Sequence, residues 1–283
     1  MILTNQFNFP EPIYNAVLND QYDAGSSDIS VTALIDAPQP VELKRRHSSE
    51  IVEDVADRID SLYGQAMHSV LERSRQTGRA EERLYITVNG WKIGGQYDYI
   101  DEQGILWDWK TVSVYEVLHG IKPSREQQLN VYAYMAKKNG LKITGLRVGF
   151  IFRDWRPGEA ATQSNYPPHK SLMYPVRMWS DEEVEAFINE RVRIHQAARD
   201  AAVLPECTPE ERWQRPGKWA VVKDGAERAS RLLDTEEEAE AWLRSKGWTD
   251  ARVQYREGIN VRCLDYCSVS KWCGQFQLHK NRR

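Results

Sequence analysis

The sequence has no apolar run long enough to cross a bilayer, and Met1-Ile2-Leu3-Thr4 opens it without a signal-peptide pattern. The expectation is a cytoplasmic protein with no membrane partner. An excess of either charge is also missing. Lys and Arg number 38 against 41 Asp and Glu, leaving a net charge of −3 and a pI near 6.1. That excludes a protein that coats nucleic acid by bulk electrostatics, but not one with a local basic groove. Candidate patches are Lys44-Arg45-Arg46-His47 and the tail His279-Lys280-Asn281-Arg282-Arg283. Cysteine is scarce too. The four residues, Cys207, Cys263, Cys267 and Cys273, all lie in the last third, and none forms the C-x2-C pair of a common zinc ribbon. What is present is 41% hydrophobic residues and ten Trp in 283 residues, enough for a full core in one large domain or two small ones.

The most informative stretch is Gly94-Gly95-Gln96-Tyr97-Asp98-Tyr99-Ile100, then Asp101-Glu102-Gln103-Gly104, then Ile105-Leu106-Trp107-Asp108-Trp109-Lys110-Thr111. It reads as two short strands about a polar, Gly-ended turn. Alternation puts Asp108 and Lys110 on one face and Trp107 and Trp109 on the other. A hairpin of this kind brings Asp98 to Asp108. Two clustered carboxylates repel unless neutralised, which a hard divalent cation does well. Magnesium or manganese held there activates water and polarises a phosphodiester oxygen, and Lys110 adds positive charge where negative charge develops. A lone D-x-K is far more often an exposed salt bridge, so its neighbours decide.

Before this stretch, residues 1–28 read as an irregular lead-in. Ser30 is placed to cap a short helix that Pro38 and Pro40 end. Apolar residues from Ser48 to about Gln76 recur at helical spacing and predict one long helix. On it Gly64, His68 and Glu72 share a face: Gly64 would let another segment approach, His68 is a candidate metal ligand and Glu72 a solvated charge. Residues 84–93 predict a hairpin about Asn89-Gly90.

After the stretch, Glu126 to Lys138 predicts a helix stopped by Asn139-Gly140, with Gln128 and Tyr132 one turn apart and able to face the site. Strands are expected at Ile143–Phe152 and Met173–Met178, and a helix capped by Ser180 from Asp181 to Ala202. The order indicates a mixed α/β domain.

Four clustered cysteines in a cytosolic chain point to a metal site, either zinc or iron–sulfur. Between Cys207 and Cys263, residues 218–257 read as a small β-β-α-β module, with Thr235 and Glu238 as a capping box. The domain expectation is a lead-in at 1–47, a core at 48–206, the insertion at 218–257, and a cysteine region formed by 207 and 258–283.

Gly64-x3-His68, Gly95-x2-Asp98, Asp108-Trp109-Lys110 and Gln128-x3-Tyr132 together resemble the PD-(D/E)XK nuclease superfamily, specifically its RecB-like exonuclease branch. The cysteines resemble those of its iron–sulfur members, and the ensemble is similar to nucleases encoded by bacteriophages. The resemblance implies a restriction-endonuclease-like α/β core, a central mixed sheet flanked by helices. It makes His68, Asp98 and Asp108 ligands of Mg²⁺ or Mn²⁺, with the Trp109 carbonyl completing the shell and Lys110 the catalytic lysine. Gln128 and Tyr132 would line the site and, with Arg125, touch DNA. Cys207, Cys263, Cys267 and Cys273 would hold a [4Fe–4S] cluster or zinc. Two features depart from the pattern: Cys207 follows the core instead of preceding it, and the Cys263–Cys267 interval is one residue longer. The implied activity is a metal-dependent DNA exonuclease of recombination, replication or repair, with a recombinase, helicase or single-strand-binding protein as partner. The rivals are a non-catalytic DNA-binding or assembly protein and a sequence-specific endonuclease on the same core.

Overall fold

A computed structural model describes residues 2–19, 25–74, 77–118 and 120–280, with backbone alone at 279–280. The side chains of the basic tail patch thus lie outside the described residues. The chain divides into two compact units, 1–204 and 205–283.

The N-terminal stretch, expected to be irregular, is part of the first unit. β1 (Ile2–Thr4) pairs with β3 (Val52–Asp54), and α1 (Glu11–Leu18) lies between them in the chain. β2 (Ile29–Ser30) runs parallel to β6 (Trp91–Gln96) and leads into α2 (Val31–Ile35), where the Ser30 hydroxyl accepts from the Ala33 N–H at 3.2 Å. Val31 and Leu34 are fully buried, two apolar anchors too few to show a period in the sequence. Pro38 does not end a helix but opens α3 (Pro38–Arg46), at a position where its missing N–H is not needed.

The long helix expected from Ser48 is cut short at its N-terminal side. The Asp54 carboxylate accepts from Gln6 N–H at 2.8 Å and Ala56 N–H at 3.0 Å, capping a 3₁₀ turn at Val55–Arg58. α4 then runs only from Ile59 to Glu72. A helical apolar period cannot reveal such a break, because β3 and the turn keep the same residues apolar.

After β4 (Arg79–Ala80), β5 (Arg83–Val88) and β6 form the expected hairpin, with Asn89 and Gly90 at positive φ of 49° and 80°. The chain then changes sheets. β6 belongs with β2 and β5, whereas β7 (Tyr99–Ile100) enters a five-stranded sheet of order β10-β9-β8-β7-β4, completed by β8 (Ile105–Val112), β9 (Gly145–Phe152) and β10 (Ser171–Val176). β8 and β9 are parallel and the other pairs of that sheet antiparallel. The crossover between them carries α5 (Tyr115–Leu118) and α6 (Pro123–Lys138), and α7 (Pro157–Thr162) and α8 (Asp181–Asp200) complete the unit.

One sheet face (Leu106, Leu146, Val148, Phe150) packs in a core with Leu129, Val131 and Met135 of α6 and Val184, Ile188 and Val192 of α8. Each such side chain contributes roughly 1.5–3 kcal/mol. The result is a mixed α/β fold. No described helix is long and apolar enough to cross a membrane.

In the second unit, β11 (Gln214–Arg215) pairs with β15 (Ile259–Asn260), and β12 (Lys218–Lys223) lies between β13 (Arg231–Leu233) and β14 (Ala251–Arg256). α9 (Glu236–Lys246) connects β13 to β14. The Thr235 hydroxyl accepts from Glu238 N–H at 3.2 Å, but the Glu238 carboxylate returns to Asp234 N–H at 3.3 Å, one residue short of the expected capping box. A π turn at Arg262–Tyr266 and α10 (Gly274–Lys280) follow.

Candidate active site

The site lies where the chain crosses between sheets. Gly95 makes the crossing possible: a Cβ there would stand 2.5 Å from the Tyr132 ring and 2.7 Å from Val31, so only glycine lets α6 and α2 close on the strand. Tyr97 is 1% exposed and anchors the crossing. The β7–β8 pairing sets Tyr99 opposite Trp107, so Asp98 comes to Asp108 and Trp109. The Asp98 carboxylate accepts from Trp109 N–H at 2.6 Å. Lys110 and Asp108 share a face as their alternation requires, with Nζ donating to Asp108 Oδ1 at 2.7 Å and to the Trp109 carbonyl at 3.2 Å. On the other face Trp107 and Trp109 stack at 5.4 Å.

α4 delivers His68, whose Nδ1 lies 3.7 Å from Asp98 Oδ1 and 3.3 Å from Glu81 Oε1. Ligand atoms of His68, Glu81 and Asp98 all fall within 4.8 Å of one another. Glu81 is the residue that sequence reasoning missed. It sits in the β4–β5 loop at φ 52°, a left-handed conformation uncommon outside glycine. Its N–H donates to the Asp98 carbonyl at 3.0 Å and its Oε2 accepts from Gln96 at 2.9 Å. Nothing in Arg79-Ala80-Glu81-Glu82-Arg83 distinguishes it from Glu82, which pairs with Arg79 instead. Only the register places it.

The electrostatics of the cluster are unbalanced. Burial, and then the charge of Asp108, push the Asp98 carboxyl up to about 7 against the pull of Lys110, His68 and the Trp109 N–H. His68 is raised, chiefly by its hydrogen bond to Glu81. Asp108 is 3% exposed, and its buried Oδ2 has no hydrogen-bond partner among the described residues. A buried carboxylate oxygen left bare, beside a second carboxylate held partly protonated, is the donor set a hard divalent cation satisfies.

The other predicted residues fall differently. Gln128 is half-buried on α6. Tyr132 is 6% exposed and belongs to the core against Gly95, so its ring is not the base-stacking surface expected of it. The guanidinium of Arg125 is bound to Glu116 at 3.1 Å, which removes it as an open phosphate contact. Gly64 faces open space, with no segment approaching it among the described residues. Glu72 is exposed. In the basic patch, Arg45 and Arg46 both bind Glu42 at 2.7 Å, which offsets one of their two charges.

In the second unit the pairing of β11 with β15 brings the strand after Cys207 alongside the chain before Cys263. The Gln275 side chain clamps the Cys207 backbone, accepting its N–H and donating to its carbonyl, each at 3.0 Å. Burial pushes the Cys207 thiol up to about 12, with Glu211, Cys273 and Cys263 adding to it. Cys263 and Cys273 are raised for the same first reason, each helped by Cys267. The Cys273 sulfur accepts from Phe276 N–H at 3.4 Å.

Comparison with known proteins bears on this arrangement. No curated protein matches the chain. Among solved structures, that of SSO0001 is similar at a TM-score of 0.48 and 16% identity, over 67% of this chain and 85% of that one. A protein from Eubacterium rectale, provisionally named an exonuclease, is similar at a TM-score of 0.35 and 11% identity, over 68% and 75%. The family model of the PD-(D/E)XK nuclease superfamily matches residues 27–274, nearly the whole chain, and the chain belongs to that superfamily.

Proposed function

We propose that this nuclease is a Mg²⁺- or Mn²⁺-dependent exonuclease acting on DNA ends or single strands. The carrying observation is the convergence of Asp98, Asp108 and Lys110 in a half-closed site with one carboxylate oxygen bare. His68, Glu81, Asp98 and Asp108 would hold the ion, with the Trp109 carbonyl at the edge of the shell. A bound divalent ion supplies Lewis acidity toward the phosphodiester and lowers the pKa of water. Lys110, fixed by Asp108 and the Trp109 carbonyl, aims an ammonium hydrogen at the attacking water or a phosphoryl oxygen, where negative charge builds. Glu81, tethered by Gln96, keeps the His68 imidazole directed at Asp98. Half-buried Gln128 orients substrate or water from α6.

At Cys207, Cys263, Cys267 and Cys273 we propose a metal group, a [4Fe–4S] cluster before zinc. Thiolates in a tetrahedral zinc shell stand roughly 3.8 Å apart, given Zn–S near 2.3 Å. Among the described residues no three of the four sulfurs come within 4.8 Å of one another. The preference for the larger group rests on the family resemblance. A role in phage or bacterial DNA recombination, replication or repair, a cytoplasmic setting and a helicase, recombinase or single-strand-binding partner rest on the family resemblance alone.

The test is cleavage of end-labelled linear DNA, single- and double-stranded, beside closed circular DNA, in Mg²⁺, Mn²⁺ or chelator. Loss of linear DNA with circles intact supports the proposal. Defined fragments from circles would make the chain an endonuclease, and tight binding without cutting in either metal would make it a binding protein. Iron analysis after anaerobic purification decides the cysteine site, with about four irons per chain expected.

A further inference from the structure

A second cavity adjoins the catalytic strand. Beyond the carboxyl ends of the parallel strands β8 and β9, a hollow of about 270 Å³ is lined by Val114 and Tyr115 on one side and by Arg156, Glu159, Gln163 and Tyr166 on the other. The volume lies below the roughly 300 Å³ that drug-sized ligands need, which suits one nucleoside and excludes a base pair.

The hollow is preformed. Asp154 accepts from Ser113 Oγ at 2.6 Å and Val114 N–H at 2.8 Å, locking the start of α5 to the chain leaving β9. The Tyr166 hydroxyl accepts from Arg156 N–H at 3.0 Å, and Trp155 Nε1 donates to the Pro167 carbonyl at 2.9 Å, fixing the opposite wall. Tyr115 is 72% exposed, a large aromatic ring at the mouth, with buried Val114 behind it. Glu159 and Gln163 hydrogen-bond one another and offer acceptor and donor atoms at one rim.

The position relative to the chemistry matters most. Val114 follows Lys110 by four residues, and an extended chain of that length spans at most about 14 Å. A stacked strand rises about 3.4 Å per nucleotide, so the hollow lies within about four nucleotides of the bond beside Lys110. Tyr132 being sealed in the core leaves the stacking role open. We infer that the hollow between α5 and the 153–166 segment is a nucleobase subsite, which draws one base of a single strand onto Tyr115 and reads its edge with Glu159, Gln163 and Arg156. The subsite rests on the nuclease reading above and extends it to substrate form. A duplex end must open before a base enters, so the preferred substrate is single-stranded.

The test uses the full chain carrying Lys110→Ala, so that DNA stays uncut, and single-stranded oligonucleotides with one 2-aminopurine moved stepwise from the end. Stacking on Tyr115 predicts fluorescence quenched several-fold at one or two adjacent positions and unchanged elsewhere. Adding Tyr115→Ala, an exposed change that leaves the fold intact by circular dichroism, should abolish that minimum and weaken binding about tenfold, the scale of one aromatic–base stack. Quenching spread evenly along the strand, or a minimum indifferent to Tyr115→Ala, overturns the subsite while leaving the nuclease assignment standing. Absence of any DNA binding, together with absence of cleavage by the unsubstituted chain, overturns both.

Discussion

His68, Glu81 and Asp98 converge from α4, a loop and a sheet crossing, with Asp108 of β8 beside Asp98, whereas three of the four cysteines lie between Cys263 and Cys273 and the fourth is clamped to α10 by Gln275. Both clusters press acidic groups together, but they stand on different foundations. The first is set on a core of fully buried Leu106, Leu129, Val148 and Phe150 and already contains its own cation, Lys110. The second belongs to a small unit whose buried apolar residues are mainly Ala220, Val221, Val222, Ala239 and Val269, mostly short side chains. Small units with so little core depend on metals or cross-links. On the proposed reading the two divide the labour: a metal at the first site would serve chemistry and the fold would survive its loss, while a metal at the second would hold the fold.

The sharpest way to break this contrast is at β8. Asp108→Ala and Lys110→Ala should each lower DNA cleavage by about 10²–10³-fold or more while circular dichroism and the melting temperature stay close to those of the parent. Full activity in either purified variant would remove the assigned site. Next in size, Cys263→Ser should release the metal proposed for the second unit and open residues 205–283 to protease, with 1–204 surviving as a resistant fragment. Equal resistance of both units would show that the cysteines are ordinary core thiols.

Glu81→Gln should weaken Mn²⁺ binding by about 10–100-fold, the usual scale for groups that hold or orient a metal ligand. A metal dependence identical to the parent's would leave Glu81 a structural residue.

Two smaller effects sharpen the claim that the first unit stands without metal. His195 is 4% exposed on α8, and burial, reinforced by Arg191, lowers it to about 4 from 6.5. Between those values the unfolded chain binds the extra proton, so the His195 contribution to stability falls as pH drops from 6.5 to 4, by at most about 3 kcal/mol, while the raised Asp98 carboxyl contributes with the opposite sign as pH falls through 7. In urea melts across that range, the stability difference between the parent and His195→Gln should show this slope in chelator as in metal. Asp98→Asn removes one of two buried like charges while keeping an acceptor for the Trp109 N–H. In chelator it should melt a few degrees higher, about 1 kcal/mol, although cleavage is lost. A lower melting temperature would mean that the repulsion is already relieved.

Much of the first site was legible in the sequence because it is carried by local rules. Alternation alone placed Asp108 with Lys110 and Trp107 with Trp109, and a short polar turn brought Asp98 back to them. Glu81 was not legible, since only the β4–β7 and β5–β6 registers carry that loop to His68. Tyr132 was placed on the correct helix but its environment was not, because a spacing of four residues says nothing about which side of α6 meets Gly95. The N-terminal lead-in hid Val31 and Leu34 for want of a period, and Pro38 has the same letter whether it stops a helix or starts one. In the second unit the β-β-α-β order followed from turn residues and the Thr235 cap, whereas the Gln275 clamp on Cys207 is a contact across the chain that no spacing announces.

The proposed cation-dependent nuclease site turns on the bare Oδ2 of Asp108 and its neighbours. Its most direct test follows Mn²⁺ by electron paramagnetic resonance while end-labelled single-stranded DNA is digested, for the parent chain and Asp108→Asn side by side. Saturable Mn²⁺ uptake and strand cleavage should rise together in the parent, and Asp108→Asn should lose both. Cleavage that persists in chelator, or Mn²⁺ uptake and digestion unchanged in Asp108→Asn, would contradict it.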